Sequence, residues 1–308
     1  MKKCKIKLSK RIRQNFPFYI MIAPGLCYLI INNYLPLPRL QLAFKKMNYA
    51  KGIWDSPWVG IKNFTFLFRS PDSWIIIRNT ILYNIVFIFL GTAFSVFIAI
   101  LLNECSRKWQ KRYQTLILIP HLLSYVVVSY IAYAFLGAEN GMINNQILRP
   151  LGLDPISFYT EDKYWPFILV FVNIWKTFGY SSIIYFASII GIDRTYYEAA
   201  EVDGASAWTQ IWSITLPLLK PVLITMLLLS VGRILYSDFG LFYQVPMDSG
   251  MLFNTTNTID TFVYRGLLQT NDLGRAAAAN FIQSVMGFFL VLGANLIVRK
   301  VEKEYALF

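Results

Sequence analysis

Long apolar runs separated by short polar connectors dominate this chain. Six runs reach spanning length, at residues 17–40, 79–102, 115–137, 164–190, 216–236 and 277–298; a helical span of a bilayer needs roughly 20 apolar residues. Asn32, Asn33, Pro36 and Pro38 interrupt the outer end of the first run. No small-x-small cleavage site follows it and Cys27 lacks a lipobox-like context, so it reads as a span and not as a removed signal peptide. The pattern predicts an all-α fold, a multi-pass bundle of six transmembrane helices over 17–298. A basic tail, 1–16, precedes it and a short tail, 299–308, follows.

Within the runs, small residues mark packing faces. Gly91, Ser95 and Ala99 recur every four residues, and Ala276 to Ala279 open the last run; in lipid such spacing lets helix backbones approach closely. Gly, Pro and Asn punctuate 138–163, which predicts turns plus a short helix. Segment 237–276 is too rich in Phe and Tyr for a passive tether. It is expected to fold back into the bundle and so to cover a binding surface.

Composition sharpens the class. Hydrophobic residues make up 56% of the chain and charged residues only 15%, against about 45–50% and about 25% in soluble domains. The net charge of +12 could suggest nucleic acid, but its placement points to topology. Lys2, Lys3, Lys5, Lys7, Lys10, Arg11 and Arg13 precede the first run. Arg107, Lys108, Lys111 and Arg112 fill the second connector, and Arg299, Lys300 and Lys303 follow the last run. By the positive-inside rule these three segments are cytoplasmic, and six spans then put both termini and loop 191–215 on that side. Loop 41–78, with Lys45, Lys46, Lys51, Lys62, Arg69 and Arg78, runs mildly against that rule.

Other chemistry finds little footing. Cys4, Cys27 and Cys105 offer no disulfide framework, and the single His121 cannot build a His-rich metal site. The absence of any Gly-Lys dipeptide excludes a Walker A phosphate loop. No metal site, bound cofactor or nucleophile–base constellation is expected, which disfavours a membrane-embedded enzyme.

Loop 191–215 breaks the apolar pattern. Thr195-x-x-Glu198 has capping-box spacing, which starts a helix near Tyr196, and Gly204 suits its left-handed end. Trp208, Ile211 and Trp212 then fall at helical spacing, and Leu216-Pro217 opens the next run with proline in its first turn. On composition alone, this elbow is either a lever gripped by a partner or an interfacial anchor.

The spacing separates the two. Glu198-Ala199-Ala200, then Gly204, nine residues to Ile214, then Leu216-Pro217, matches EAA---G---------I-LP. The chain thereby resembles the permease subunits of binding-protein-dependent ABC importers, over essentially its whole length. Asp203, Ala205 and Pro221 fit the wider pattern. DFGLFYQVPMDSG and IDTFVYRGL resemble the branch that imports oligosaccharides or complex glycans. The resemblance implies a bacterial cell-membrane protein paired with a second, homologous permease. Two cytoplasmic ATPase subunits would bind ATP and Mg, and an extracellular solute-binding lipoprotein would deliver the sugar. It also implies that Glu198, Ala199, Ala200, Asp203 and Gly204 dock on the ATPase, while Ile214, Leu216 and Pro217 connect to the fifth span.

Polar residues inside spans nominate a path for solute. His121, Tyr125 and Ser129 recur every four residues, Asn173, Lys176 and Tyr180 share helical spacing, and Arg233, Tyr236 and Asp238 gather near the outer end of the fifth run. These groups serve either a translocation path or interhelical hydrogen bonds. Two other transport readings stand beside this one: the same machinery carrying peptides, and an ion-coupled secondary carrier. The carrier would favour carboxylates inside spans, and none is found there.

Overall fold

The computed structural model describes residues 8–69 and 71–307. Among them there is no strand, only an isolated antiparallel bridge between Lys45 and Trp58. The principal helices are α1 Leu8–Leu29, α2 Ser73–Glu104, α3 Arg107–Leu122, α4 Tyr125–Leu136 and α5 Trp165–Ile190. They continue as α6 Arg194–Val202, α7 Ala207–Gln210, α8 Leu216–Val231, α9 Ile259–Thr270 and α10 Leu273–Val301. Five stretches are long and apolar enough to cross a membrane: Asn15–Phe44, Ser73–Glu104, Asp162–Ile190, Ala207–Val231 and Leu273–Val301. The pair α3 and α4, bent by 91°, supplies a sixth. The fold class is the all-α, multi-pass bundle that the pattern predicts.

The chain divides into two units, Met1–Phe64 with Asp272–Phe281, and Thr65–Asn271 with Ile282–Phe308. In the first, α1 leaves its apolar side chains exposed, Phe18 at 62% and Met21 at 77%. A turn of wide helix, Ile30–Tyr34, follows at Asn32 and Asn33, and a 3-10 helix covers Leu37–Phe44. The rings of Phe44, Phe64 and Phe281 meet at centroid distances of 5.2–6.0 Å. Lys45 is 2% exposed and donates to the carbonyls of Ile53 and Trp54 at 3.2 and 2.7 Å. One of the lysines set against the positive-inside pattern is thus committed to holding a turn.

In the second unit the helix pair α2 and α5 forms the centre. One core joins Tyr83, Val128, Trp165 and Leu169 to Leu241, Phe242 and Leu252. Within this unit residues 237–271 therefore fold back, with Phe242 buried and Phe239, Tyr243, Phe253 and Tyr264 half-buried. A second core joins Val96, Ala99, Tyr185, Phe186, Ile189 and Leu219. Polar side chains tie the returning segment down. Asn79 donates to the carbonyls of Asn254 and Asn257 at 3.0 and 2.9 Å, and Thr80 accepts from the Ile259 N–H at 3.0 Å.

Two boundaries differ from the pattern. The helix of the fifth span, α8, stops at Val231 rather than running to 236, with Gly232 at its C-cap. The carbonyls freed beyond take side-chain donors instead: Gln283 reaches Leu235 at 2.7 Å and Asn84 reaches Tyr236 at 3.0 Å. The third span, read as one helix over 115–137, breaks at Leu123 and Ser124. Ser124 caps α4 by accepting from the Val127 N–H at 3.3 Å. Lys176 gathers the carbonyls of Pro120, His121 and Leu123 at 3.4, 3.0 and 2.5 Å. An apolar run can hide such a break, since its signal is a cap and a distant cation, not a loss of hydrophobicity. His121 and Ser129 consequently lie on different helices, not on one face.

Candidate functional site

A cavity of about 640 Å³ opens within the second unit, between α2, α5, α8 and the start of the returning segment. From α5 it receives Asn173, Thr177, Ser181 and Ile184, which recur at four, four and three residues, one face of a helix. From α2 come Asn84 and Thr92, and from α8 Met226 and Ser230. Arg233, Tyr236, Ser237 and Asp238 close it where α8 ends.

The sequence-nominated residues divide at this point. Asn173, Arg233, Tyr236 and Asp238 line the cavity. Lys176 and Tyr180 stand on the adjoining face of α5, turned toward α3. Lys176 caps the α3 carbonyls and lies 4.7 Å from the centre of the Tyr125 ring. Tyr180 stacks on His121 at 4.8 Å with ring planes 12° apart. Tyr125 reaches the cavity indirectly, because its hydroxyl donates to Asp238 Oδ2 at 2.7 Å. Gly240 makes this possible, since a Cβ there would enter the Tyr125 ring. Asn84, Thr92, Thr177, Ser181 and Ser230 were not singled out from the sequence. A polar triplet at i, i+4 and i+8, beginning at Asn173, carries their signal on α5.

The loop between α5 and α8 is built from standard terminal chemistry. Asp193 caps α6, accepting from the Thr195 N–H at 3.0 Å, and this bond holds its carboxyl below the usual carboxylate range. The helix thus starts at Arg194, two residues earlier than the Thr195 box suggests, because Asp193 already occupies the capping position. Gly204 ends α6 with φ +76°. The Gly204 N–H donates to Glu201 O and the Ala205 N–H to Ala200 O, a Schellman closure. A Cβ on Gly204 would meet nothing within 4 Å, so backbone conformation, not space, calls for glycine.

Ser206 caps α7, accepting from the Thr209 N–H at 3.2 Å. A wide helical turn, Ile211–Thr215, then carries the chain into α8, with Pro217 in its first turn. Tyr197 and Thr215 hydroxyls bond at 2.9 Å, fixing α6 to the root of α8. Glu198, Ala199, Asp203 and Gly204 are exposed, Ala200 and Ile214 half-buried. Behind the loop a groove of about 630 Å³ is lined by Glu198, Glu201 and Arg194, by Glu104 at the end of α2, and by Arg107 and Gln110 at the start of α3. Among the described residues, no group of three His, Cys, Asp or Glu side chains is placed to hold a metal.

Comparison with known proteins adds ancestry to this geometry. Residues 76–303 match the family model described as the binding-protein-dependent transport system inner membrane component. The chain is 32% identical over 287 residues to protein LplB of Bacillus subtilis (strain 168), covering 93% of this chain and 89% of that one. It is 33% identical over 303 residues to the polygalacturonan/rhamnogalacturonan transport system permease protein YteP of the same organism, covering 96% and 92%. A crystal structure of a bacterial alginate ABC transporter, in complex with a periplasmic protein bound to alginate pentasaccharide, contains a chain that superposes with TM-score 0.84. The two are 31% identical, and the match covers 97% of this chain and 99% of that one.

Proposed function

The chain belongs to the binding-protein-dependent transport system inner membrane components, and on that premise we propose that it forms half of a path for an oligosaccharide or complex glycan. The other half is a second, homologous permease. An extracellular binding lipoprotein delivers the solute, and two cytoplasmic ATPase subunits drive the cycle. ATP and Mg belong to those subunits; this chain hydrolyses nothing itself.

One observation carries the reading. The exposed helix α6 is tied through the Tyr197–Thr215 bond to a helical rod that reaches the cavity wall. From Ala207 the chain stays helical to Val231, so Trp208 at one end and Met226 and Ser230 at the other move together. Gripping Glu198, Ala199, Ala200, Asp203 and Gly204 would displace that rod through Ile214, Leu216 and Pro217. Differential affinity of the ATPase for two arrangements of the rod is what converts nucleotide binding into directed transport.

The lining suits sugar. Asn84, Asn173, Thr177, Ser181 and Ser230 provide short neutral donors and acceptors, while Tyr236 and Phe87 provide ring faces. The polygalacturonan and rhamnogalacturonan for which YteP is named, and the alginate pentasaccharide bound to the periplasmic protein of the solved transporter, support the same class. In this arrangement 1–16, loop 191–215 and 299–308 face the cytoplasm around the domain 17–298, in accord with the basic residues of the two tails and of the 107–112 connector.

Co-purification from membranes, followed by reconstitution in vesicles, tests the proposal. The expected result is capture of a second permease and an ATPase, and oligosaccharide uptake that requires ATP and the binding protein. Uptake by the lone chain under an ion gradient would contradict it.

A further inference from the structure

We infer that Arg233 is a carboxylate-recognising residue, and that the path is tuned to acidic glycans, those carrying uronate groups. This rests on the transport reading above and adds the charge of the cargo to it. Arg233 and Asp238 are the two charged residues among those lining the cavity. Asp238 is engaged by the protein: Oδ2 accepts from the Tyr125 hydroxyl at 2.7 Å and Oδ1 from the Leu241 N–H at 3.3 Å. Arg233 is not. Among the described residues, no carboxylate lies within 4.0 Å of its guanidinium and no group accepts a hydrogen bond from it.

Two other arginines of the same unit, Arg265 and Arg78, are by contrast held by the protein. Arg265 pairs with Asp248 at 2.6 Å and also donates to Asn257, and Arg78 donates to Asn79 and Asn254 at 3.0 and 2.8 Å. Arg233 is exposed just beyond the end of α8, so its guanidinium is open to a ligand that enters the cavity. The guanidinium fork offers paired N–H donors that match the two oxygens of a carboxylate. The neutral groups of Asn173, Thr177, Ser181 and Ser230 sit around the same space for the sugar hydroxyls. Asp238 nearby keeps the attraction weak, as a conduit requires, since cargo that binds tightly does not leave.

The test uses the complete transporter in vesicles, with its partner permease, ATPase and binding protein. Uptake of an oligogalacturonate is compared with that of its methyl ester of the same length. Every variant meets the same binding protein, so a change in the acid-to-ester ratio reports on the permease. Arg233→Gln is expected to lower that ratio about tenfold or more, as removal of a charged hydrogen-bonding partner does. Arg233→Lys is expected to keep it within about threefold of wild type, because the charge survives while the fork is lost. An equal ratio in Arg233→Gln and wild type, or a wild-type preference for the ester, overturns the inference and leaves the transport reading standing. ATP-driven uptake of neither compound by a wild-type complex that does take up a neutral oligosaccharide also overturns the inference, whereas uptake of no oligosaccharide at all overturns the transport reading itself, and this inference with it.

Discussion

Lys176 is 7% exposed, yet it is fully occupied, with three carbonyls of the α3 terminus on one ammonium. A helix C-terminus carries unpaired carbonyls and partial negative charge, so a lysine from the neighbouring helix is a fitting cap. From the sequence, a charged residue midway along an apolar run looks like a solute contact, because the partner that satisfies it is 53 to 56 residues away. We predict that Lys176→Met lowers the apparent unfolding temperature of the solubilised complex. The expected loss is roughly 2–5 kcal/mol, the cost of leaving buried carbonyls unmet. An unchanged unfolding temperature would show that the cap is dispensable. Single-residue chemistry was most legible where it is local: Gly204 as a left-handed terminus follows from its position after an α6-like run, and φ +76° agrees.

At the scale of elements, close approach is governed by glycines that periodicity does not distinguish. A Cβ on Gly179 would enter the backbone of Ile117, so α5 and α3 touch main chain to main chain. Gly287 meets the carbonyl of Gly232 in the same way. A Cβ added at Gly266 or Gly293 would meet nothing within 4 Å. Gly179→Val should therefore sharply reduce recovery of folded complex from membranes, whereas Gly293→Ala should leave it near wild type, as scored by size-exclusion profiles. Equal recovery of the two variants would mean that α3 can move aside at little cost. The six runs were visible from hydrophobicity alone, since a bilayer demands length. The break in the third was not, because Ser124 and Pro120 weaken a helix without ending its apolar character. The face that α5 turns to the cavity was also ambiguous. Asn173 begins two polar series, through Lys176 and Tyr180 or through Thr177 and Ser181, and only packing against α3 separates them.

For the whole molecule, the proposed orientation places the connector around Cys105 and loop 191–215 on one side of the membrane. Both line the groove behind α6. Cys105, in a variant whose Cys4 and Cys27 are replaced by serine, should react with a membrane-impermeant maleimide in inside-out vesicles and not in right-side-out ones. The opposite pattern would invert the topology and remove the loop from any cytoplasmic ATPase. Family and direction of transport were carried by the spacing of one loop, whereas the cavity emerges only when residues from α2, α5, α8 and the segment beyond α8 are brought together. No periodicity within one run contains that information.

The account turns on whether the elbow at Gly204 transmits work to the rod that walls the cavity. ATP-driven oligosaccharide uptake by the assembled transporter, measured for Gly204→Val and Gly204→Asn side by side, tests this most directly. Asparagine tolerates the left-handed backbone and valine does not. The prediction is that the Asn variant transports at near wild-type rate, while the Val variant assembles with its ATPase but loses most uptake. Wild-type uptake by the Val variant would contradict it.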